Sequence, residues 1–418
     1  MEESHALITN DAVVLGLLMV LLAFVFKTSS SDHPGLKKFY GIVPMLLLCY
    51  FLPSLLNTFN IVDGEHSNLY FVASRYLLPA CLILLTLSVD LKEIAHLGYK
   101  PIVMFLAGTA GIILGGPLAI LLVSSFNPEL VGGAGPEAVW RGMATIAGSW
   151  IGGGANQAAM YEVFSPSNSL FGIMITIDII VAEIWMAFLL IGIGKKDAID
   201  RFFKADSSSV DHLQMKMEAF SKSIARNPTT TDLMVILGIA FGAMAFSHFL
   251  ADSIAPYIQD HAPNLSKFSL TSKFFWLIII STTIGVILSF SKARKYEGAG
   301  ASKIGTVFIF VLVATIGMKM DIRSLADYPG LFMVGGIWML IHIVILVIVG
   351  RLIRAPYFFL AIGSKANIGG AASAPVLAAA FHPALAPVGV LLAVLGYVLG
   401  TYGAWLCGLL MQTVAPQI

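Results

Sequence analysis

Residues 148–157 read Gly148-Ser149-Trp150-Ile151-Gly152-Gly153-Gly154-Ala155-Asn156-Gln157, and residues 363–373 read Gly363-Ser364-Lys365-Ala366-Asn367-Ile368-Gly369-Gly370-Ala371-Ala372-Ser373. Each stretch is small, polar and flexible, and each lies within a long apolar segment. Backbone at membrane depth must satisfy its hydrogen bonds internally, so a helix breaker there calls for a reason. One such breaker in each half of a chain is a sequence pointer to a transport site.

Around these stretches the composition is that of a membrane protein. The chain has 418 residues, 57% of them hydrophobic and 12% charged, against about 25% charged in a soluble domain. Apolar segments fall near 12–26, 39–59, 69–89, 101–124, 142–164, 168–194, 232–250, 274–290, 304–318, 330–353, 356–381 and 384–412. Most are long enough to cross ~30 Å of hydrocarbon. An all-α, multi-pass membrane protein follows, with the lipid bilayer as its surroundings. The net charge is only +1, most charges fall in loops and none form a basic stripe, so no nucleic-acid partner is expected. The acidic N-terminus lacks the basic start of a signal peptide, and 12–26 is read as a retained first span.

Enzyme signatures are missing. There is no His-Glu-x-x-His, nucleophile elbow, P-loop or CxxC. Ser149 and Ser364 have no histidine in the core of their own segments. No enzymatic activity and no catalytic residue are expected. Cys49, Cys81 and Cys407 lie in apolar spans without metal-ligand spacing and read as small core residues.

The polar stretch 195–231 divides the chain into an N-terminal repeat, 1–194, a cytoplasmic linker, and a C-terminal repeat, 232–418. Segment three ends in Asp90-Leu91-Lys92-Glu93-Ile94-Ala95 and segment nine in Asp321-Ile322-Arg323-Ser324-Leu325-Ala326. Segment one opens Thr9-Asn10-Asp11 and segment seven Thr230-Thr231-Asp232. With a glycine stretch in the fifth slot of each half, these matches suggest a duplication.

Lys and Arg mark cytoplasmic loops. They follow segments one (Lys27, Lys37, Lys38), three (Lys92, Lys100), six, eight (Lys292, Arg294, Lys295, Lys303) and ten (Arg351, Arg354). The loop with Asp63 and Glu65 has no base and is expected outside. If all six segments of a half crossed, the loop after segment three and the linker would lie on opposite sides. The conflict disappears if the fifth segment enters and returns as a hairpin. About ten transmembrane helices plus two re-entrant or broken-helix hairpins then form two inverted repeats, with both termini outside. A broken helix that crosses fully is the rival.

At a hairpin tip, glycines allow positive φ and close backbone approach. The helix that follows points its positive end at the site, favouring a carboxylate or other anion. Neutral ligands come from Ser149, Asn156, Gln157, Ser364, Asn367 and Ser373, beside the backbone of Gly153, Gly154, Gly369 and Gly370. Oxygen ligands with exposed carbonyls also suit Na⁺, with Asp178, Asn156 and Asn367 as a candidate set. The bland alternative is that the glycines only let helices pack closely.

A charge at the centre of a span costs ~2.5–3.5 kcal/mol on insertion scales, so it needs a partner or a wet cavity. Asp178 and Glu183 are central in segment six. They are candidates for ion or proton coupling, or else form an ion pair that pins the hairpin. Lys365 has three readings: an ammonium for a substrate carboxylate, a partner of Asp178 or Glu183 standing in for sodium, or a snorkelling side chain. His342, central in segment ten, is a proton relay or a hydrogen bond across helices. Arg75 and His248 are expected near an interface, with Arg75 able to steer an anion.

The segment ending Ser88-Val89-Asp90-Leu91 and the two glycine stretches resemble a domain-of-unknown-function family of multi-pass proteins from bacterial inner membranes and plant plastids. More distantly, the chain is similar to the superfamily of glutamate, citrate-type and bile-acid sodium symporters and cation:proton antiporters. Ala155 and Ala371 stand where some of those relatives have a further glycine. The resemblance implies a dimer in the bacterial inner membrane with a scaffold and a moving, elevator-type core. Segments three to six and nine to twelve are expected in that core, and one, two, seven and eight in the scaffold. Function is then expected to be secondary transport of a small organic anion, amino acid or peptide-like solute, coupled to Na⁺ or H⁺. An uncoupled channel or exporter and a non-transporting receptor or assembly factor are the other classes.

Overall fold

The computed structural model describes residues 6–416 apart from 41–42, 44, 65, 90, 207, 211–212, 214, 216–226, 320–329 and 383–384; the side chains of 46, 91–93, 267 and 371–372 are also outside the description. Among the described residues the protein is helical, with a single bridging pair, Ile8 and Val62, in place of a sheet. The principal helices are α1 (Asp11–Ser29), α2 (Met45–Thr58), α3 (Leu69–Leu87), α4 (Tyr99–Ser124), α5 (Val139–Gly152), α6 (Gly154–Phe164), α7 (Asn168–Ile193) and α8 (Lys196–Phe203). After the linker come α9 (Thr230–His261), α10 (Lys273–Ser289), α11 (Ala301–Gly317), α12 (Leu331–Leu352), α13 (Tyr357–Asn367), α14 (Gly370–Phe381) and α15 (Ala386–Val414).

Each of the twelve apolar segments contains one of these helices or a broken pair of them. Among the described residues, seven helices qualify by length and hydropathy to cross a membrane: α1, α3, α4, α7, α9, α12 and α15. The number becomes eight if α10 is counted with the turn of helix at Lys292–Ala299, bent 94° from it. Residues Leu47–Thr58 of α2 and the whole of α11 are apolar but shorter. Ten crossings were expected, and seven to eight meet these criteria.

The shared openings of segments one and seven have a local explanation. Asn10 accepts from Ala12 N and Val13 N at the start of α1. Thr229 and Asp232 form a reciprocal capping box at the start of α9. Both satisfy orphan N–H groups of a first turn, so the match reports helix capping as readily as duplication. The other shared motif cannot be placed, because Asp90 and Asp321 lie outside the described residues, as do Arg323 and Glu65.

The helices pack as two groups. α1, α2, α3, α9, α10 and α11 form one; α4–α7 and α12–α15 form the other. This corrects the expected division, since α3 and α11 (segments three and nine) pack with the first group. Small residues supply the reason. A β-carbon on Gly285 of α10 would lie 1.9 Å from Thr86 Oγ1, and one on Gly305 of α11 would lie 3.2 Å from Leu84 Cβ. α3 is thus seated between α10 and α11, as small residues permit in membrane helix packing. The seam between the groups is made by α6 and α15 against α3, α10 and α11.

Candidate functional site

Both glycine stretches fold as helical hairpins whose feet meet. Gly153 (φ 76°) separates α5 from α6, and Gly369 (φ 102°) followed by Gly370 (φ 54°) separates α13 from α14. These backbone values favour glycine, and they turn the chain where a side chain would be strained. In the first hairpin the Arg141 guanidinium donates to the carbonyl of Phe164, and the Trp140 and Phe164 rings lie 5.6 Å apart. In the second, the Phe381 ring lies 5.1 Å from Phe358 and 5.8 Å from Tyr357. An unbroken helix over 24 residues would hold its ends ~36 Å apart.

The feet sit at opposite ends of α7. Ser167, the N-cap of α7, donates its backbone N–H to Pro136 O at the foot of the first hairpin. Beyond the other end of α7, Asp200 of α8 accepts from Tyr357 N at 2.6 Å, capping the first turn of the second hairpin. Burial raises the Asp200 carboxyl above its ordinary range, and the Tyr357 N–H opposes that shift. Helix α7 therefore runs from one pair of feet to the other, and both tips reach its middle.

At the first tip, Asp178 Oδ1 accepts from Trp150 Nε1 at 2.7 Å and Oδ2 from Gln157 Nε2 at 3.0 Å. Asp178 is buried, and both its oxygens are engaged by the hairpin. At the second tip, Lys365 is fully buried. Its Nζ donates to Ala182 O at 3.4 Å and lies 4.0 Å from Glu183 Oε1. Trp185 Nε1 donates to Ser364 Oγ at 2.8 Å.

His342 completes the second tip from α12. Its Nδ1 is 3.0 Å from Gly108 O, and its Nε2 is 2.8 Å from Ser364 Oγ. The carbonyl can only accept, so Nδ1 carries the proton. Ser364 then donates to Nε2 while accepting from Trp185. His342 thus bonds across helices, linking α4, α12 and α13.

The two asparagines are held by the same chemistry on different helices. Asn156 Nδ2 donates to Gly152 O and Tyr397 O, and its Oδ1 accepts from Thr401 at 2.6 Å. Asn367 Nδ2 donates to Gly363 O and Phe105 O, and its Oδ1 accepts from Thr109 at 2.8 Å. Each clamp takes a carbonyl and a threonine hydroxyl four residues apart, from α15 for Asn156 and from α4 for Asn367. Asp178, Asn156 and Asn367, the candidate Na⁺ set, share no hydrogen bond here; each has its own partners.

The glycines do serve close packing as well. A β-carbon on Gly152 would lie 2.1 Å from Asn156 Nδ2, and one on Gly400 2.5 Å from the same atom. One on Gly108 would lie 2.9 Å from Asn367 Nδ2. Gly154 differs, with nothing nearer than 4.0 Å. Around Gly369 a β-carbon would lie 2.2 Å from Ser373 Oγ and 3.4 Å from Lys365 Nζ. The Ser373 hydroxyl is buried without a hydrogen-bond partner among the described residues. The N-terminus of α14 beside it has no side-chain cap. Ammonium, hydroxyl and helix end thus converge on one small region. Ser149 is buried near the first tip.

One cluster escaped the sequence reading. Glu162 of α6 accepts from Arg75 Nη1 at 2.9 Å and from the Tyr70 hydroxyl. Arg75 also lies 4.4 Å over the Phe274 ring, and His248 Nε2 donates to Arg75 O at 2.9 Å. Arg75 and His248 do lie at an interface, as expected. The cluster ties the first hairpin to α3 across the seam.

Comparison with known proteins places the chain among membrane proteins. A family model described as "Protein of unknown function (DUF819)" matches residues 16–414. The chain is similar to the "Uncharacterized membrane protein YjcL" of Bacillus subtilis (strain 168), 24% identical over 350 residues, covering 80% of this chain and 82% of that one.

Proposed function

We propose a function on one premise: the chain belongs to the family just described. It is a multi-pass integral membrane protein, and our reading is that it is a secondary active transporter of a small organic anion or amino acid. The observation that carries this is the opposed pair of hairpins. Their feet close at opposite ends of α7 and their tips meet its middle at Asp178 and Lys365. Broken helices meeting from both sides at mid-depth are the arrangement in which a site can be opened to either face in turn. In this reading the hairpins are re-entrant, the other ten segments cross, and the halves are inverted with the termini outside. Lys365, the Ser373 hydroxyl and the uncapped start of α14 form the anion-binding end of the site. The two packing groups supply a scaffold and a moving core. A homodimer in a bacterial inner membrane, and coupling to Na⁺ or H⁺, belong to the same reading.

Uptake by proteoliposomes of a panel of labelled carboxylates and amino acids, with and without a Na⁺ or pH gradient, tests it. Gradient-driven accumulation that Lys365→Gln removes is the expected result. Absence of uptake of every solute under every gradient would reject transport.

A further inference from the structure

Three helices long and apolar enough to cross a membrane have an end beside the foot of the second hairpin. α4 begins at Tyr99, α7 ends at Ile193 and α12 ends at Leu352. There α8 packs against α7, α12 and α13. Its Phe203 is buried and its Asp200 caps Tyr357, whereas Arg201 and Phe202 are exposed. A short amphipathic helix at the ends of membrane spans suits the headgroup layer. Tyr99, Phe202 and Leu352 are exposed by 64%, 61% and 75%. Aromatic and apolar surface of this kind belongs where headgroups meet acyl chains.

Cations gather at the same place. The Lys100 ammonium donates to Arg354 O at 3.1 Å, joining the start of α4 to the turn after α12. Arg351, three residues before Arg354, holds its guanidinium 5.5 Å from the centre of the Phe202 ring. Among the described residues, no carboxylate lies within ion-pair distance of Lys100, Arg351 or Arg354. Of the two acids on α8, Asp200 is engaged by Tyr357 N and Asp197 follows directly on Lys196.

We infer that this patch binds the headgroup of an anionic phospholipid, with Lys100, Arg351 and Arg354 on the phosphate and Phe202 and Leu352 against the first carbons of the chains. The inference is independent of the transport reading. Planar guanidinium forks match the paired oxygens of a phosphodiester. The exposed apolar neighbours separate this ligand from a soluble phosphate, which gains nothing from Phe202 and Leu352. The bound lipid bridges α4, α8 and α12. Because α8 caps the first turn of α13 through Asp200, the same lipid steadies the foot of the second hairpin.

Unfolding midpoints of the purified full chain in detergent test this, with phosphatidylglycerol, phosphatidylcholine and glycerol 1-phosphate titrated separately. A ligand of the folded state raises the midpoint as its concentration grows. Phosphatidylglycerol is expected to raise it, and the other two are expected to leave it in place. Each cation near a membrane surface adds about fivefold to the affinity for anionic lipid. Lys100→Gln, Arg351→Gln and Arg354→Gln are therefore each expected to need about fivefold more phosphatidylglycerol for the same shift, and the triple variant ~100-fold more. Lys292→Gln with Lys295→Gln, exposed in the basic turn after α10, is expected to match the wild type. No shift with phosphatidylglycerol, or an equal shift with phosphatidylcholine or with glycerol 1-phosphate, overturns the inference. So does an unchanged response in the three single variants, which decide even if the triple variant does not fold. An equal loss in the variant of Lys292 and Lys295 overturns it too, since the effect then belongs to the overall field of the protein and not to this patch.

Discussion

Arg141 donates a hydrogen bond to the carbonyl of Phe164, although 23 residues of two helices separate them. That bond closes the first hairpin at its feet, and the ring contacts of Phe381 do the same for the second. Single cysteines at positions 136 and 166 are therefore expected to react with a membrane-impermeant maleimide from one side. Positions 356 and 382 are expected to react from the other. Cys49, Cys81 and Cys407 are buried and give little background. Opposite sidedness within either pair would mean that the segment crosses.

The three consecutive glycines at the first tip should respond differently to alanine. Gly152→Ala would drive a methyl into Asn156 Nδ2 and to within 2.8 Å of Gly396 O, an overpacking cost of about 1–3 kcal/mol. Gly153→Ala meets nothing closer than 3.6 Å but forces a side chain into a positive-φ, extended-ψ conformation that essentially only glycine adopts, at about 1–3 kcal/mol. Gly154→Ala is expected within about 0.5 kcal/mol of wild type. Unfolding midpoints in detergent read the order. Equal effects at all three would show that close approach of Asn156 is not what Gly152 serves.

Removing the hydroxyl that binds either asparagine leaves a buried carbonyl oxygen short of a donor. Thr401→Val and Thr109→Val are each expected to cost about 1–3 kcal/mol. The two effects should add, since the clamps share no partner. Strong non-additivity in denaturant unfolding of the double variant would mean the tips are coupled through some other contact.

Glu162→Gln keeps a partner for the Tyr70 hydroxyl and removes the charge that faces Arg75. Loss of a hydrogen bond between charged groups costs about 1.5–3 kcal/mol. Because the pair spans the seam, Arg75→Gln combined with Glu162→Gln should cost less than the sum of the single changes. An additive result would show that the pair contributes nothing across the seam.

Much of this architecture is legible in the residues. Apolar runs locate the helices, and the glycine stretches mark where two of them break. What stays hidden is which helices touch. Thr109 and Thr401 look like any threonine bonded back to its own helix, and only their partners reveal them as clamps. Glu162 sits near the end of an apolar run, where a charge reads as solvated, and its pairing with Arg75 depends on tertiary packing. The placement of α3 and α11 depends on Gly285 and Gly305, and a small residue does not say which neighbour it admits. Asp178 was visible as a charge in a span; that it is held by the indole of Trp150 was not.

Helix α7 also works as a ruler. Asp178 meets one hairpin, and Ala182 O, four residues on, meets the other. Four residues rise about 6 Å along a helix. On the transport reading proposed above, a molecule gripped by both tips at once is limited to the length of a few bonded atoms. On that reading a two-to-four-carbon acid or a single amino acid spans the gap, and a chain of several residues or sugars has to let go of one tip before touching the other.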